Sequence, residues 1–134
     1  MKIDLLTPTQ LAFVQALRAA IPAAEADVRH TMKQDAQPPF VLVGNIDSEP
    51  AGNVGDQLEL LSVEIQTVYR GTDRAKLLAL MHKARSACDE IALPEQDGVE
   101  FGLPRWVSSA ASSTPPDGVT FAGIINFEVH VQPA

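Results

Sequence analysis

Three histidines, His30, His82 and His130, are the first side chains to test for chemistry. Imidazole is both a common metal ligand and a proton carrier near neutral pH. Spacing argues against either role. None belongs to a His-x-x-x-His pair, and none lies at ligand distance in sequence from the single cysteine, Cys88. His30 falls in a polar connector, His82 on the polar side of a helical segment, and His130 on the minor face of an alternating run, so all three read as surface residues. Two carboxylate pairs, Asp89-Glu90 and Glu95/Asp97, could do acid–base work only if the fold seated both members in one pocket. Near a helix end and a loop, they read as solvated. Ser108, Ser109, Ser112 and Ser113 stand in no Gly-x-Ser-x-Gly elbow. Gly52-Asn53-Val54-Gly55 lacks the Lys-Ser/Thr of a phosphate loop. Cys88 reads as a small core residue. The sequence therefore assigns no catalytic residue, no cofactor-binding residue and no metal ligand, and no cofactor is implied. The expectation is a protein without enzymatic activity.

Charge gives two further candidates. Lys76, Lys83 and Arg85, with nearby Arg70 and Arg74, are the densest positive stretch. They form either a solvated helix face or a patch that meets an acidic neighbouring subunit. Trp106, the single tryptophan, is either a core residue or an interface anchor, since Trp and Arg are enriched at interface hot spots. Overall, 17 acidic against 10 basic residues give a net charge of −7, which argues against stable nucleic-acid binding.

The elements that must position these residues fit one domain over residues 1–134, a length that buries a core without staples. Hydrophobic residues make up 46% and aromatics only 5%, so aliphatic side chains must dominate that core. One cysteine makes no internal disulfide, so no oxidising compartment is implied. The apolar run after Met1 is too short for a signal peptide, and no stretch approaches the roughly 20 apolar residues that span a bilayer. The expectation is a protein made in the cytosol, with no membrane partner.

Thr7-Pro8-Thr9-Gln10 opens a helix, with Thr7 as its cap and Gln10 placed for a capping box. Leu11, Val14, Leu17, Arg18 and Ile21 follow helical spacing, Phe13 flanks the stripe, and Pro22 ends the helix near Ala20. A connector from Pro22 to Pro39, with Val28 and Met32 as its large apolar residues, holds a short extended piece at Asp27–His30. Phe40–Ile46 has strand character, and Asp47–Asp56 is expected to be a long, mobile hairpin loop. Leu58–Arg70 alternates. Leu61, Val63, Ile65, Thr67 and Tyr69 face the core, while Ser62, Glu64, Gln66 and Arg70 face the other way. Thr72 is the expected cap of a second helix within Asp73–Ile91, whose stripe is Leu77, Met81, Ala84, Cys88 and Ile91, widened by Leu78 and Leu80. Short strands follow at Val99–Phe101 and, near an edge, at Arg105–Ser113. Pro115-Pro116-Asp117-Gly118 turns the chain into a last strand. Its buried face is Val119, Phe121, Ile125, Phe127, Val129 and Val131, with Gly123 marking a bulge or a close approach. Leu60, Val68, Ala122 and Ile124 are left over on the second face of the sheet. The fold class is α+β: a single small domain, mainly antiparallel β-sheet, with two α-helices packed on one face.

This order of elements resembles the tail-completion and tail-terminator proteins of tailed phages and prophages, which are small head–tail joining proteins of the siphophage type. The likeness runs through the helix Pro8–Ala20, the connector with Val28-Arg29, and the entry Pro38-Pro39-Phe40-Val41-Leu42-Val43. It continues through Val68-Tyr69-Arg70, the helix start Asp73-Arg74-Ala75, and the closing strand from Pro116-Asp117-Gly118 to Val129. The connector from His30 to Gln37 and the segment Glu95–Arg105 depart from the family pattern. The resemblance implies a structural virion-assembly protein with no catalytic residue. Such a protein self-associates, usually as a hexameric ring, caps the head-proximal end of the tail tube, and helps join tail to head. Its partners would be its own copies, the tail-tube protein and the head–tail connector proteins. Its place would be the host bacterial cytoplasm during assembly and then the virion tail. The alternative from the residues alone is a cytosolic α+β module that binds a small ligand or peptide through the sheet face or the Asp47–Asp56 loop, without catalysis.

Overall fold

The computed structural model describes residues 2–31, 37–52, 55–113 and 119–134. Helix α1 spans Leu6–Ala20. It begins earlier than Pro8, so Thr7 lies inside it and is not its cap. The carboxylate of Asp4 takes that role, accepting from the backbone N–H of Leu6 at 2.9 Å and of Thr7 at 3.1 Å. Pro8 sits in the first turn, where its missing N–H costs nothing. The buried stripe is also rotated from the expected one. Phe13 is central and fully buried, whereas Leu11 is 40% exposed. The largest side chain takes the core position because it meets the ring of Phe127, with centroids 5.9 Å apart.

Strand β1, Asp27–Arg29, pairs in parallel with β2, Phe40–Pro50, in the register Asp27↔Phe40 to Arg29↔Leu42. Strand β2 is longer than expected. Asp47–Pro50 is strand, not loop, paired residue by residue with Ser62 back to Glu59. Backbone hydrogen bonding to β3 holds these polar residues in the ladder without any burial of their side chains. The connection is thereby shortened to residues 51–58. Asn53 and Val54 in it, like Met32 and the turn Pro115–Gly118, lie outside the described residues.

Strand β3, Glu59–Arg70, and strand β6, Thr120–Pro133, form the uninterrupted centre of the sheet, with Ile65 opposite Ile125 and Val63 opposite Phe127. The alternation read from sequence holds along β3. Leu61, Val63, Ile65 and Thr67 are buried, Tyr69 is half-buried, and Ser62 and Arg70 are exposed. Between these strands in sequence come helix α2, Arg74–Cys88, and strands β4, Val99–Phe101, and β5, Arg105–Ala111. Asp97 and Gly98 take left-handed backbone, φ 48° and 76°, to make the turn into β4. Both β4 and β5 pair with β6 on the side away from β3, so the order is β1-β2-β3-β6-β4 with β5 also on β6.

Asp73, not Thr72, caps α2, accepting from the Ala75 N–H at 3.0 Å. A carboxylate one residue nearer the helix is the stronger acceptor there. Leu77, Leu80, Met81, Ala84 and Cys88 are buried on the sheet. Leu78 and Ile91, both 44% exposed, are not: Leu78 points off the stripe, and Ile91 lies beyond the helix end. On β6, Val119 is outside the strand and 38% exposed, and Gly123 holds the core position expected of a larger residue. It does so because α2 comes close: a Cβ there would lie 2.3 Å from Met81 Sδ. Both helices therefore cover one face of a mainly antiparallel sheet, with one continuous aliphatic core between them. Full burial of each large core side chain contributes about 1.5–3 kcal/mol.

Candidate functional site

The three histidines are exposed and separate: His30 just past β1, His82 on the outer side of α2, and His130 near the end of β6. Asp89 and Glu90 sit just past α2. Asp89 Oδ1 accepts the Trp106 N–H at 3.1 Å, and the Glu90 N–H donates to the Pro104 carbonyl at 2.8 Å, so the two residues tie the start of β5 and the residue before it to the helix end. Glu95 and Asp97 are exposed. Ser108 and Ser109 serve local structure. Ser108 Oγ accepts from the Asn126 amide, and Ser109 Oγ accepts from the Trp106 indole N–H. Ser112 Oγ accepts the Ala122 N–H at 3.0 Å. Cys88 is buried, and burial, with a smaller push from Asp89, raises its thiol pKa to about 12. A thiol held protonated in this way is a poor nucleophile. Among the described residues, no group of three or more His, Cys, Asp or Glu is placed to hold a metal ion. Among them, too, no helix is long and apolar enough to cross a membrane.

Four of the five cations in this stretch, Arg70, Arg74, Lys83 and Arg85, have separate partners, and Lys76 is exposed. Lys83 Nζ is 2.6 Å from Glu25. Arg74 Nε donates to the Ser112 carbonyl at 2.8 Å, tying the helix start to the end of β5. Arg70 Nε reaches Thr120 Oγ1 at 3.3 Å. Arg85 lies over the Trp106 ring, 3.7 Å from its centroid, and 3.8 Å from Asp89. That stacking places Trp106 at the edge of the core. The residue pairs with Phe127 on the core side of the sheet and is half-buried there, so it covers the edge of the core and is itself covered by Arg85.

The remaining candidate is the face of the sheet opposite the helices. Register places Leu42, Gln66, Ile124 and Ala110 in one row across four strands, and Phe40, Val68 and Ala122 in the next. Ile124 is 38% exposed, Ala122 is exposed, and Leu42 and Val68 are half-buried. Phe40 is buried yet does not belong to the core between sheet and helices. Gln66 is the polar member of the first row, its Nε2 donating to Glu64 Oε1 at 2.6 Å, and elsewhere on this face Arg105 meets Glu128 at 2.6 Å. Of the four apolar residues expected here, Val68, Ala122 and Ile124 come together. Leu60 stands apart, opposite His130. A largely apolar surface whose polar members are hydrogen-bonded is suited to a protein contact rather than to a reaction.

A second feature, not legible in the sequence, is a cleft of about 420 Å³ on the outer side of the helix layer, between α1 and the segment after α2. Ala16, Ala19, Ala87, Ile91 and Leu93 line it, with Gln15 and Ser86 as its polar members.

No protein-family model matches the chain, and no curated protein matches it in sequence. Among solved structures, a chain in the virion of a native gene transfer agent particle superimposes on it with a TM-score of 0.83. The match covers 97% of this chain and 98% of the other, at 17% identity. At that identity the likeness is one of fold, and it extends over essentially the whole of both chains.

Proposed function

We propose that this chain is a structural virion-assembly protein. In this reading it caps the head-proximal end of a phage-type tail tube and helps join the tail to the head, as a closed ring of its own copies. The observation that carries the proposal is the end-to-end likeness of fold to a chain of a gene transfer agent virion. The resemblance of its element order to tail-completion proteins supports a tail terminator among virion proteins. The apolar rows around Val68 and Ile124 on the uncovered sheet face supply contact area for neighbouring subunits, the tail-tube protein or the connector. A ring needs a heterologous contact that closes, and such a contact is compatible with a monomer at low concentration. No chemistry is assigned. The protein works by shape, in the cytoplasm of the host during assembly and afterwards in the tail.

The test is deletion of the gene from the phage or prophage that carries it, followed by electron microscopy of the particles. Unjoined heads and tails of uncontrolled length are the expected result. Normal tails joined to heads would overturn the proposal. In that event the cleft between α1 and Leu93 favours the second reading, a module that binds a peptide or small ligand, because it is a concave apolar surface with few polar groups.

A further inference from the structure

Two opposite charges on the uncovered face of the sheet have no counter-ion within this chain. Arg70, at the end of β3, is exposed, and its Nε donates to Thr120 Oγ1 at 3.3 Å. Glu64 lies earlier on the same strand and the same face. It is half-buried and is held in place by Gln66 Nε2, which donates to its Oε1 at 2.6 Å. Among the described residues, neither Arg70 nor Glu64 is in an ion pair. At a strand rise of about 3.3 Å per residue they stand roughly 20 Å apart, so they cannot meet within one chain.

The apolar rows lie between them. The midpoint of Glu64 and Arg70 falls at Thr67, between the row of Val68 and Ala122 and the row of Leu42, Gln66 and Ile124. Apolar surface is therefore central, and the two charges are equidistant from it and opposite in sign. A two-fold axis along that midline, across the strands, lays β3 of one copy antiparallel over β3 of another. Arg70 of each copy then lies over Glu64 of the other. Ile124 lies over Ala122, a large side chain on a small one, and Thr120 lies over Asn126, polar on polar. Asp47 and Glu49 fall beyond the overlap and oppose nothing. An axis running along β3 would instead set Arg70 on Arg70 and Glu64 on Glu64, which like-charge repulsion forbids.

We propose that this face pairs with the same face of a second copy of this chain, in a two-fold contact centred on the Val68 and Ile124 rows and closed by reciprocal Arg70–Glu64 ion pairs. Face-to-face sheets pack about 10 Å apart, a gap that an arginine and a glutamate side chain together bridge. Four rows about 7 Å apart, on strands about 4.8 Å apart, give a footprint of roughly 400 Å² on each copy. That is about half of what a standard stable interface buries, so the pairing is weak and reversible. A contact of this symmetry closes at two copies and builds no ring. The inference therefore goes beyond the ring reading. It occupies the face which that reading gives to contacts in the tail, so the pair is a form of the free protein and parts on assembly.

Sedimentation velocity of the full chain at low salt, up to about 1 mM, tests it, with circular dichroism as the control for folding. The unaltered chain should reach a dimer and stop there. Arg70→Glu and Glu64→Arg each replace two attractions by two repulsions and should each weaken dimerisation by about tenfold or more. The double variant Glu64→Arg/Arg70→Glu exchanges the charges and should restore the dimer, as should an equimolar mixture of the two single variants. If Glu64→Arg does not fold, Glu64→Gln takes its place and should weaken dimerisation by about threefold. An unaltered chain that stays monomeric at that concentration overturns the proposal, as does an Arg70→Glu protein that dimerises as tightly as its parent, or a charge exchange that restores nothing. Rings of the unaltered chain that ignore the reversals would remove this contact and support the ring reading. Loss of this contact leaves that reading standing, because deletion of the gene tests it separately.

Discussion

Replacing Gly123 with alanine puts a methyl group where α2 already lies. The new Cβ would be 2.3 Å from Met81 Sδ, 2.8 Å from Met81 Cε and 2.9 Å from Thr67 Oγ1. Comfortable non-bonded contacts are about 3.5–4.0 Å, so both neighbours must give way. Met81 can swing, because its thioether chain has three rotatable bonds. Thr67 cannot easily follow: it is β-branched, fully buried, and its hydroxyl donates to the Gly123 carbonyl at 3.2 Å. Overpacking of this kind costs about 1–3 kcal/mol. The lower entropy of the unfolded alanine chain returns about 0.4–1 kcal/mol. Gly123→Ala should therefore destabilise the protein by roughly 1–2 kcal/mol. Urea unfolding followed by circular dichroism reads this as a lower midpoint at unchanged slope. Met81→Ala alone should cost about 2–5 kcal/mol by opening a cavity. In the double variant the alanine methyl occupies part of that cavity, so the sum of the single effects should exceed the double effect by more than about 0.5 kcal/mol. Strict additivity, or a Gly123→Ala protein more stable than its parent, would refute the claim that close helix–sheet approach is what demands glycine here.

Two further perturbations check other parts of the fold. Cys88 should react with a thiol reagent at a rate that tracks unfolding, because the side chain is buried and its pKa is pushed to about 12; fast labelling of the native protein at pH 8 would show that α2 does not seat it in the core. Asp4→Ala should cost about 0.5–2 kcal/mol through loss of the α1 cap. Hydrogen bonds from the Thr7 side chain and backbone hold the Asp4 pKa below its ordinary 3.8, so its contribution is complete above that pH and is lost as the pH falls through the lowered folded value. The stability gap between the two proteins, measured by denaturant titration, should accordingly close on the acid side of pH 4. A gap that persists there would assign the cap to another group.

Period-two alternation along Leu61–Tyr69 was enough to place β3 and to orient it, because a one-residue slip would turn every core residue outward. The helical spacing of Leu77, Met81, Ala84 and Cys88 likewise placed α2 on the sheet. Net charge and the lack of catalytic spacing were readable without any fold. What sequence left undecided was anything settled by a partner distant in the chain. Thr7 and Thr72 satisfy capping preferences, as do Asp4 and Asp73, and only the helix start chooses between them. Asp47–Pro50 has the composition of a loop and becomes strand because Glu59–Ser62 offers it hydrogen bonds. Arg70, Arg74, Lys83 and Arg85 look like one patch in sequence and are engaged separately by Thr120, Ser112, Glu25 and Trp106, each brought from elsewhere in the chain. The parallel pairing of Asp27–Arg29 with Phe40–Leu42 likewise exists only once β1 has docked beside β2. Local periodicity encodes which face of an element is apolar, but a side chain's partners are set by the tertiary structure, since contact depends on register and approach rather than on spacing along one segment.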